Sequence, residues 1–358
     1  MQRAKTQPKM SIVMAVYNGK KYLKDAIDSV LQQSFTNYEF IIVDDCSTDS
    51  TPSIISLYND NRIRYIRNKE NLGQTPSLNI ALKISKGKYI ARIDGDDIYI
   101  QDKLKIQYYF MEKNPDVAVC GTAGERIDEN GNQSGFRLYP QDPKDIYFRI
   151  FYQSPINHVS VIMRRSVVID NGGYDEKYPY CADFALWSKL IKNNYKIVNL
   201  PNLLVQYRVF EDSLGAINKV GPSGNEAVNI IHSNISEKLN IKISRKECWN
   251  IIYMLWPTSG IDLPDILNAY NILKRISQIV YKKQVPVRIL LFLNTHLLKS
   301  LIKRNLFLKS KRQFRFHEKE LLKVIRRFIK SPLVVVMVIV SNLVVLVLNE
   351  ENINKLKN

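Results

Sequence analysis

Cysteine is scarce in this sequence: there are four, Cys46, Cys120, Cys181 and Cys248, with no paired spacing among them. That excludes a disulfide frame and a cysteine zinc site, and it fits free thiols in a reducing compartment. Negative charge is also short, with 34 Asp and Glu against 52 Lys and Arg, a formal net charge of +18. Met1 to Lys9 is polar and basic, and the apolar run behind it is short, so no export signal is expected. After the first apolar segment the chain reads Met14-Ala15-Val16-Tyr17-Asn18-Gly19, which is not a glycine-rich basic phosphate loop and so weighs against nucleotidyl transfer. No internal repeat is evident. Long apolar runs are absent except for Pro332 to Leu348, about 17 residues and at the short limit for a membrane span.

What is present is an alternation of strand and helix signals. Ser11 to Val16 reads as a fully buried strand and Tyr17-Asn18-Gly19 as its exit turn. Tyr22, Leu23, Ala26, Ile27, Val30 and Leu31 recur at helical spacing, which predicts a helix over Lys20 to Gln33. Phe40 to Val43 is a second strand, and Pro52 marks the first turn of a second helix through Ile54, Ile55, Leu57 and Tyr58. Ile63 to Ile66 follows as a short strand. Thr75-Pro76 then opens a helix that Gly87 stops, and the chain enters the strand Tyr89 to Ile93. Such alternation predicts an α/β fold: a mostly parallel open sheet with helices on both faces.

Two of these strands end in acid. Tyr89 to Ile93 runs into Asp94-Gly95-Asp96-Asp97, and Phe40 to Val43 runs into Asp44-Asp45-Cys46-Ser47-Thr48-Asp49. Asp and Gly favour turns for backbone reasons alone, so the first cluster reads either as a solvated turn or as a site for a hard divalent ion. Its place beyond a carboxyl strand end, where open parallel sheets bind ligands, favours the ion. Asp44 and Asp45 read either as caps for the helix at Pro52 or as acceptors for a nucleoside. For Ser47, Thr48 and Asp49 capping is the expected role.

Ser11 to Asn18, Val43 to Asp49, Asn71-Leu72-Gly73 and Ile93 to Asp97, taken in this order, resemble the family 2 glycosyltransferases, inverting enzymes with the GT-A fold. The resemblance spans roughly residues 9 to 212. It implies that Ala15, Tyr17, Asp44 and Asp45 hold the nucleotide of a sugar donor, expected to be UDP, with Asp45 meeting a pyrimidine N–H or Asp44 a ribose hydroxyl. It also implies that Asp94 faces the ribose or donor sugar, and that Asp96 binds a divalent cofactor, Mn2+ or Mg2+, bridging the diphosphate. Asp97 reads as a support for the cluster or as a cap for a helix from Gln101 onward.

An inverting transfer needs a base at the acceptor hydroxyl, and the resemblance assigns it to Asp183 in Tyr180-Cys181-Ala182-Asp183. The family's preceding Glu is replaced by Ala182. Asp183 also reads as an N-cap of the helix carrying Leu186, Trp187, Leu190 and Ile191. His158 stands as an acceptor-pocket residue or a structural histidine. Arg208, in a Tyr207-Arg208 element that lacks the family's following His, is a possible diphosphate contact. Glu125 to Ser154, with the hairpin signal Asn130-Gly131, is where acceptor specificity is expected.

These motifs place the transferase domain at residues 9–215, a basic helical region at 225–330 and the apolar tail segment at 332–348. Helices are expected near Glu226 to Leu239, Arg245 to Leu255, Pro264 to Tyr281, Pro286 to Arg304 and Glu318 to Lys330. The basic excess lies between Lys274 and Lys330 and runs into the apolar tail. That combination favours an anionic membrane surface as partner, with no nucleic acid expected. The tail itself reads as a membrane anchor, a buried element or an oligomer contact. The expected product of this reading is a cytoplasmic enzyme at the inner membrane face that moves sugar onto a glycan or lipid-linked acceptor of the envelope. A processive synthase is disfavoured, since neither several long spanning segments nor a Gln-x-x-Arg-Trp motif is found. A nucleotidyltransferase-like enzyme and a non-catalytic basic scaffold are the alternatives.

Overall fold

Strand β1 (Met10–Val16) is buried along its whole length, and Ile12, Val13 and Met14 expose nothing. A strand apolar on both faces needs cover on both, and the crossover helices supply it. In the computed structural model, which describes residues 7–210, 221–256 and 262–310, β1 pairs in parallel with β2 (Tyr38–Asp44) and with β4 (Tyr89–Arg92). β2 pairs in parallel with β3 (Ile63–Arg67). The connections are α1 (Leu23–Leu31), α2 (Thr51–Ser56) and α3 (Gln74–Ile84). α1 turns Leu23, Ala26, Ile27 and Val30 into the core, the i, i+3, i+4, i+7 set that the sequence carries. Helix α3 ends before Ser85, ahead of Gly87. The glycine has another reason: a Cβ there would lie 2.4 Å from the main chain of Met10 and Ser11, so only glycine lets the chain cross β1 at that point.

Beyond β4 the sheet is mixed. Its order is β3-β2-β1-β4-β8-β6-β9-β5, with β5 (Ile98–Tyr99), β6 (Val117–Ile127), β8 (Ile162–Arg164) and β9 (Lys196–Arg208), while β7 (Gln133–Arg137) pairs with β6 off this path. β4–β8, β8–β6 and β5–β9 are antiparallel, and β6–β9 is parallel. The β5–β9 pairing returns the end of β9 to the acidic turn that follows β4. Asn130-Gly131 makes the expected hairpin turn between β6 and β7, with Gly131 at φ 86°.

The chain divides into two compact units, residues 1–245 and 246–358. The first also holds α4 (Lys103–Lys113), α5 (Pro143–Arg149), α6 (Arg165–Asp170), α7 (Ala182–Lys192) and α8 (Pro222–Leu239). The sequence groups α8 with the C-terminal helices, yet its Asn234 Nδ2 donates to Ser188 Oγ of α7 at 3.0 Å and to the carbonyl of Ile150 at 2.9 Å. The second unit is helical from α9 (Arg245–Leu255) through α10 (Leu263–Val280) and α11 (Val287–Ser310). The expected helix at 318–330 and the apolar tail at 332–348 lie outside the described residues. No helix among the described residues is long and apolar enough to cross a membrane.

Lys103 is fully buried at the start of α4, with its ammonium over the Tyr99 ring at 4.1 Å and bonded to Gln107 Oε1 at 2.8 Å, and with no ion pair among the described residues. Burial drives its pKa down to about 7. The folded chain therefore binds fewer protons than the unfolded one between about pH 7 and the usual lysine value, so this residue's penalty is full below pH 7 and fades as pH rises. Lys103→Met is expected to stabilise the protein by about 2 kcal/mol at pH 7 and by less near pH 9.5. Denaturant melts at the two pH values test this, and an equal gain at both would exclude the buried amine as its source.

Candidate active site

The exits of β1 and β2 are laced together by side chain to backbone bonds. Asn18, in the left-handed region at φ 51°, donates its N–H to Ser47 Oγ at 2.9 Å, and its Oδ1 accepts from Thr48 N at 2.9 Å. Gly19 N donates to Thr51 Oγ1 at 2.8 Å. Ala15 is buried in β1, and Tyr17 stands half exposed at its tip.

Asp44 and Asp45 are both buried, at 0% and 2% exposure, and neither caps α2, whose N-cap is Ser50. Asp44 accepts from Ser47 N at 2.8 Å and Tyr65 Oη at 2.9 Å, with Arg67 Nε 3.5 Å away. Asp45 accepts from Asn68 Nδ2 at 2.7 Å, Leu72 N at 2.9 Å and Gly73 N at 2.7 Å. The capping alternative thus falls. In its place the two carboxylates organise the loops, Asp45 holding the Leu72-Gly73 turn that opens α3. Asp49 takes a cap-like role, accepting from Thr51 N at 2.9 Å.

Past β4 the carboxylate oxygens of Asp94, Asp96 and Asp97 can all lie within 4.8 Å of one another. Gly95 packs this turn onto the β1 exit, where a Cβ would come within 3.2 Å of Val16 Cγ2. Burial, then the Asp94 charge, raises the Asp96 pKa to about 6. Burial followed by the charges of Asp96 and Asp94 also raises that of Asp97. Three hard oxygen donors that disfavour one another's ionisation fit a hard divalent cation, which would reverse those shifts. The members differ in freedom. Asp97 accepts the main-chain N–H of Arg208 at 2.9 Å and is no cap for α4, while Asp94 is bonded by both terminal nitrogens of Arg92 and by Gln74 Nε2 at 3.1 Å. Asp96 is the carboxylate left for a ligand.

Arg208 does not extend toward an open site. Its Nη1 donates to the carbonyls of Asp128 and Glu129 at 2.8 and 3.2 Å, its Nε to that of Asp96 at 3.2 Å, and its guanidinium lies over Tyr22 at 4.1 Å. The end of β9 thereby braces the acidic turn against the β6–β7 hairpin tip, a bracing role beside the diphosphate contact that the sequence offered for Arg208.

On the other side, Asp183 lies in the first turn of α7, behind an N-cap at Cys181, so it is not the cap. Its Oδ2 accepts from Ser154 Oγ at 3.3 Å, and burial raises its pKa against partial relief from the Phe184 N–H and Arg92. Ala182, where the family has Glu, is buried. A carboxylate nevertheless meets this helix start: Glu226 Oε2 of α8 accepts from Tyr180 N at 3.0 Å and Cys181 N at 2.8 Å. His158 bonds the Tyr174 hydroxyl at 2.7 Å and packs edge-on against Trp187; burial keeps it neutral by lowering its pKa well below the usual value. That geometry is the hydrogen-bonded structural alternative for His158.

The residue that links the two sides was not visible as a site residue. Arg92, 2% exposed, has its charge felt at Asp94, Asp96, Asp97, His158, Tyr174 and Asp183. Arg92 thus holds Asp94 of the acidic turn directly, and its charge also favours the ionised form of Asp183. A charged residue two positions before the cluster, in a strand otherwise apolar, was its only signal. A cleft of about 500 Å³ lies along the face of α7 that carries Ala185, Ser188 and Lys189, between Asn79 and Asn234, with Tyr174 in its wall.

Such a site at the carboxyl ends of a GT-A sheet defines a sugar-transferring enzyme, and the comparisons agree. The family model Glycosyl transferase family 2 matches residues 11–173. An uncharacterized glycosyltransferase of Haemophilus influenzae is 30% identical over 340 residues, 90% of this chain and 97% of that one. The Escherichia coli UDP-Glc:alpha-D-GlcNAc-diphosphoundecaprenol beta-1,3-glucosyltransferase WfgD is 29% identical over 208 residues, 58% of this chain and 79% of its own. In fold, residues 1–349 of S. aureus TarS, solved in complex with UDP-GlcNAc, superpose with a TM-score of 0.54 at 20% identity, covering 87% of this chain and 93% of that one. The chain belongs to glycosyltransferase family 2, and the nucleotidyltransferase and scaffold alternatives are set aside.

Proposed function

We propose that the enzyme transfers a sugar from a UDP-sugar, with inversion, to a hydroxyl of a lipid-linked or glycan acceptor in envelope polysaccharide assembly, at the cytoplasmic face of the membrane. The observation that carries the reading is the cluster of Asp94, Asp96 and Asp97 beyond β4, whose carboxylate oxygens can lie within 4.8 Å of one another. Asp183 would take the proton of the acceptor hydroxyl as its oxygen bonds the anomeric carbon and the bond to the diphosphate breaks. Asp96, with Asp94 and Asp97 behind it, would hold Mn2+ or Mg2+. That ion supplies Lewis acidity to the leaving diphosphate when bound. Ala15, Tyr17 and the loops organised by Asp44 and Asp45 would seat the nucleoside, Asp45 sharing an oxygen with the pyrimidine. WfgD and its E. coli relative WfaP, 31% identical over 209 residues, are both described as acting from UDP-Glc on a diphosphoundecaprenol-linked sugar, which supports the donor and the acceptor class.

Calorimetric titration of the full chain with UDP, with and without Mn2+, tests the site. Binding is expected to need the metal and to weaken at least about 100-fold in Asp96→Ala. Equal UDP affinity with and without Mn2+, or in the variant, would remove Asp96 from the donor site.

A further inference from the structure

From Ile266 to Ser310 the sequence holds nine Lys and Arg and no Asp or Glu. Such bias decides little until the fold shows which face carries it. Helix α10 buries Ile266, Ala269, Tyr270, Leu273 and Ile276. Its outward positions fall on one stripe, with Lys274, Arg275 and Ile279 exposed and Lys282 continuing it past the helix end. Ile279 is 43% exposed, and Val287, at the start of α11, is 53% exposed. The stripe ends in a closed corner. Lys283 N donates to Gln278 O at 2.7 Å and Lys282 N to Ile279 O at 3.2 Å, so the last turn of α10 is sealed by its own backbone.

Both residues of that corner are left-handed, Lys282 at φ 50° and Lys283 at φ 68°. Glycine or asparagine is the inexpensive choice in such positions. Here the chain carries two lysines instead. Among the described residues none of Lys274, Arg275, Lys282 and Lys283 has an acidic partner.

We propose that the α10–α11 corner is a docking surface for an anionic lipid bilayer: Lys274, Arg275, Lys282 and Lys283 meet lipid phosphates while Ile279 and Val287 enter the acyl boundary. This rests on the reading of a lipid-linked acceptor, which must be met at a bilayer. Cations interleaved with aliphatic side chains match an interface that is anionic outside and apolar just beneath. A nucleic-acid surface would present stacking aromatics among the cations, and Tyr281, the aromatic residue at this corner, is buried at 4% exposure.

The test is co-flotation of the full chain with phosphatidylcholine vesicles, with and without phosphatidylglycerol. One variant combines Lys274→Glu and Arg275→Glu with Lys282→Asn and Lys283→Asn, since Asn tolerates the left-handed backbone. A second combines Ile279→Ser and Val287→Ser, which keeps the charge. The wild type is expected to float with the anionic vesicles and not with the neutral ones. The charge variant should partition at least about 30-fold less and the apolar variant several-fold less. UDP titration of each variant should match the wild type, so failure of docking and failure of the donor site are read separately. Flotation of the charge variant at the wild-type level would overturn the proposal. So would wild-type binding that ignores the anionic lipid, or a preference for a DNA duplex over anionic vesicles at equal phosphate concentration.

Discussion

Asp183→Asn should lower kcat for sugar transfer by about 10³-fold, within the range that a positioned general base supplies, and leave UDP affinity within a factor of about two. The amide keeps the shape and can still meet Ser154 Oγ, but it cannot take a proton at neutral pH. Environment sharpens the expectation. Burial raises the Asp183 pKa above the ordinary carboxylate range, while the Phe184 N–H and Arg92 hold it back, so the group is a stronger base than a solvated Asp. In the wild type, log kcat/KM is therefore expected to fall as pH drops through that raised value, with a slope of about one. The measurement is a transfer assay at saturating donor with single-turnover analysis, run across pH. A variant that changes only KM, or that keeps the acid limb of the profile, would show that Asp183 binds acceptor and that another group takes the proton.

The place of Asp183 was legible because its pattern is local, a short loop leading into an amphipathic helix, whereas the role of base came from the family resemblance. The same holds for the first half of the sheet, where β1 and β2 are apolar on both faces and α1 and α3 keep their i, i+3, i+4 stripe. The acidic turn was equally legible, since three carboxylates in four residues at a strand end stand out in any chain. What stayed hidden depends on contacts that sequence distance conceals. Glu226 reaches the start of α7 from 44 residues beyond Ala182, and nothing near either position announces it. The roles of Asp44, Asp45 and Arg208 were read as contacts to a ligand because charged groups at strand ends invite that reading. What the sequence did not show is that each also bonds within the chain, Asp44 to Ser47 N and Tyr65 Oη, Asp45 to Gly73 N and Asn68 Nδ2, and Arg208 to the Asp128 carbonyl. The mixed pairing past β4 was hidden for a related reason: three-residue and two-residue strands such as β8 and β5 are too short to carry a period.

Arg92 carries the second large expected effect. Its terminal nitrogens hold both oxygens of Asp94, while its Nε is buried with no partner among the described residues. An arginine fork that meets one carboxylate bidentately fixes that carboxylate's plane, and a lysine ammonium cannot. Arg92→Gln is expected to lower kcat/KM by about 10³-fold and to destabilise the fold by about 3 kcal/mol, because Asp94 would lose its bidentate partner and the three carboxylates would face one another with Arg208 as the remaining buried countercharge. Arg92→Lys separates the two consequences. It restores the charge, so most of the stability should return, but it does not restore the fork, so Asp94 should remain misplaced and the rate should stay at least about 30-fold down. Denaturant melts and steady-state kinetics on the same samples check both. If the lysine variant recovered rate and stability together, Arg92 would act only as a buried charge. Recovery of neither would mean that its packing beneath the acidic turn, between β1 and β8 on the two sides of β4, is what the site depends on.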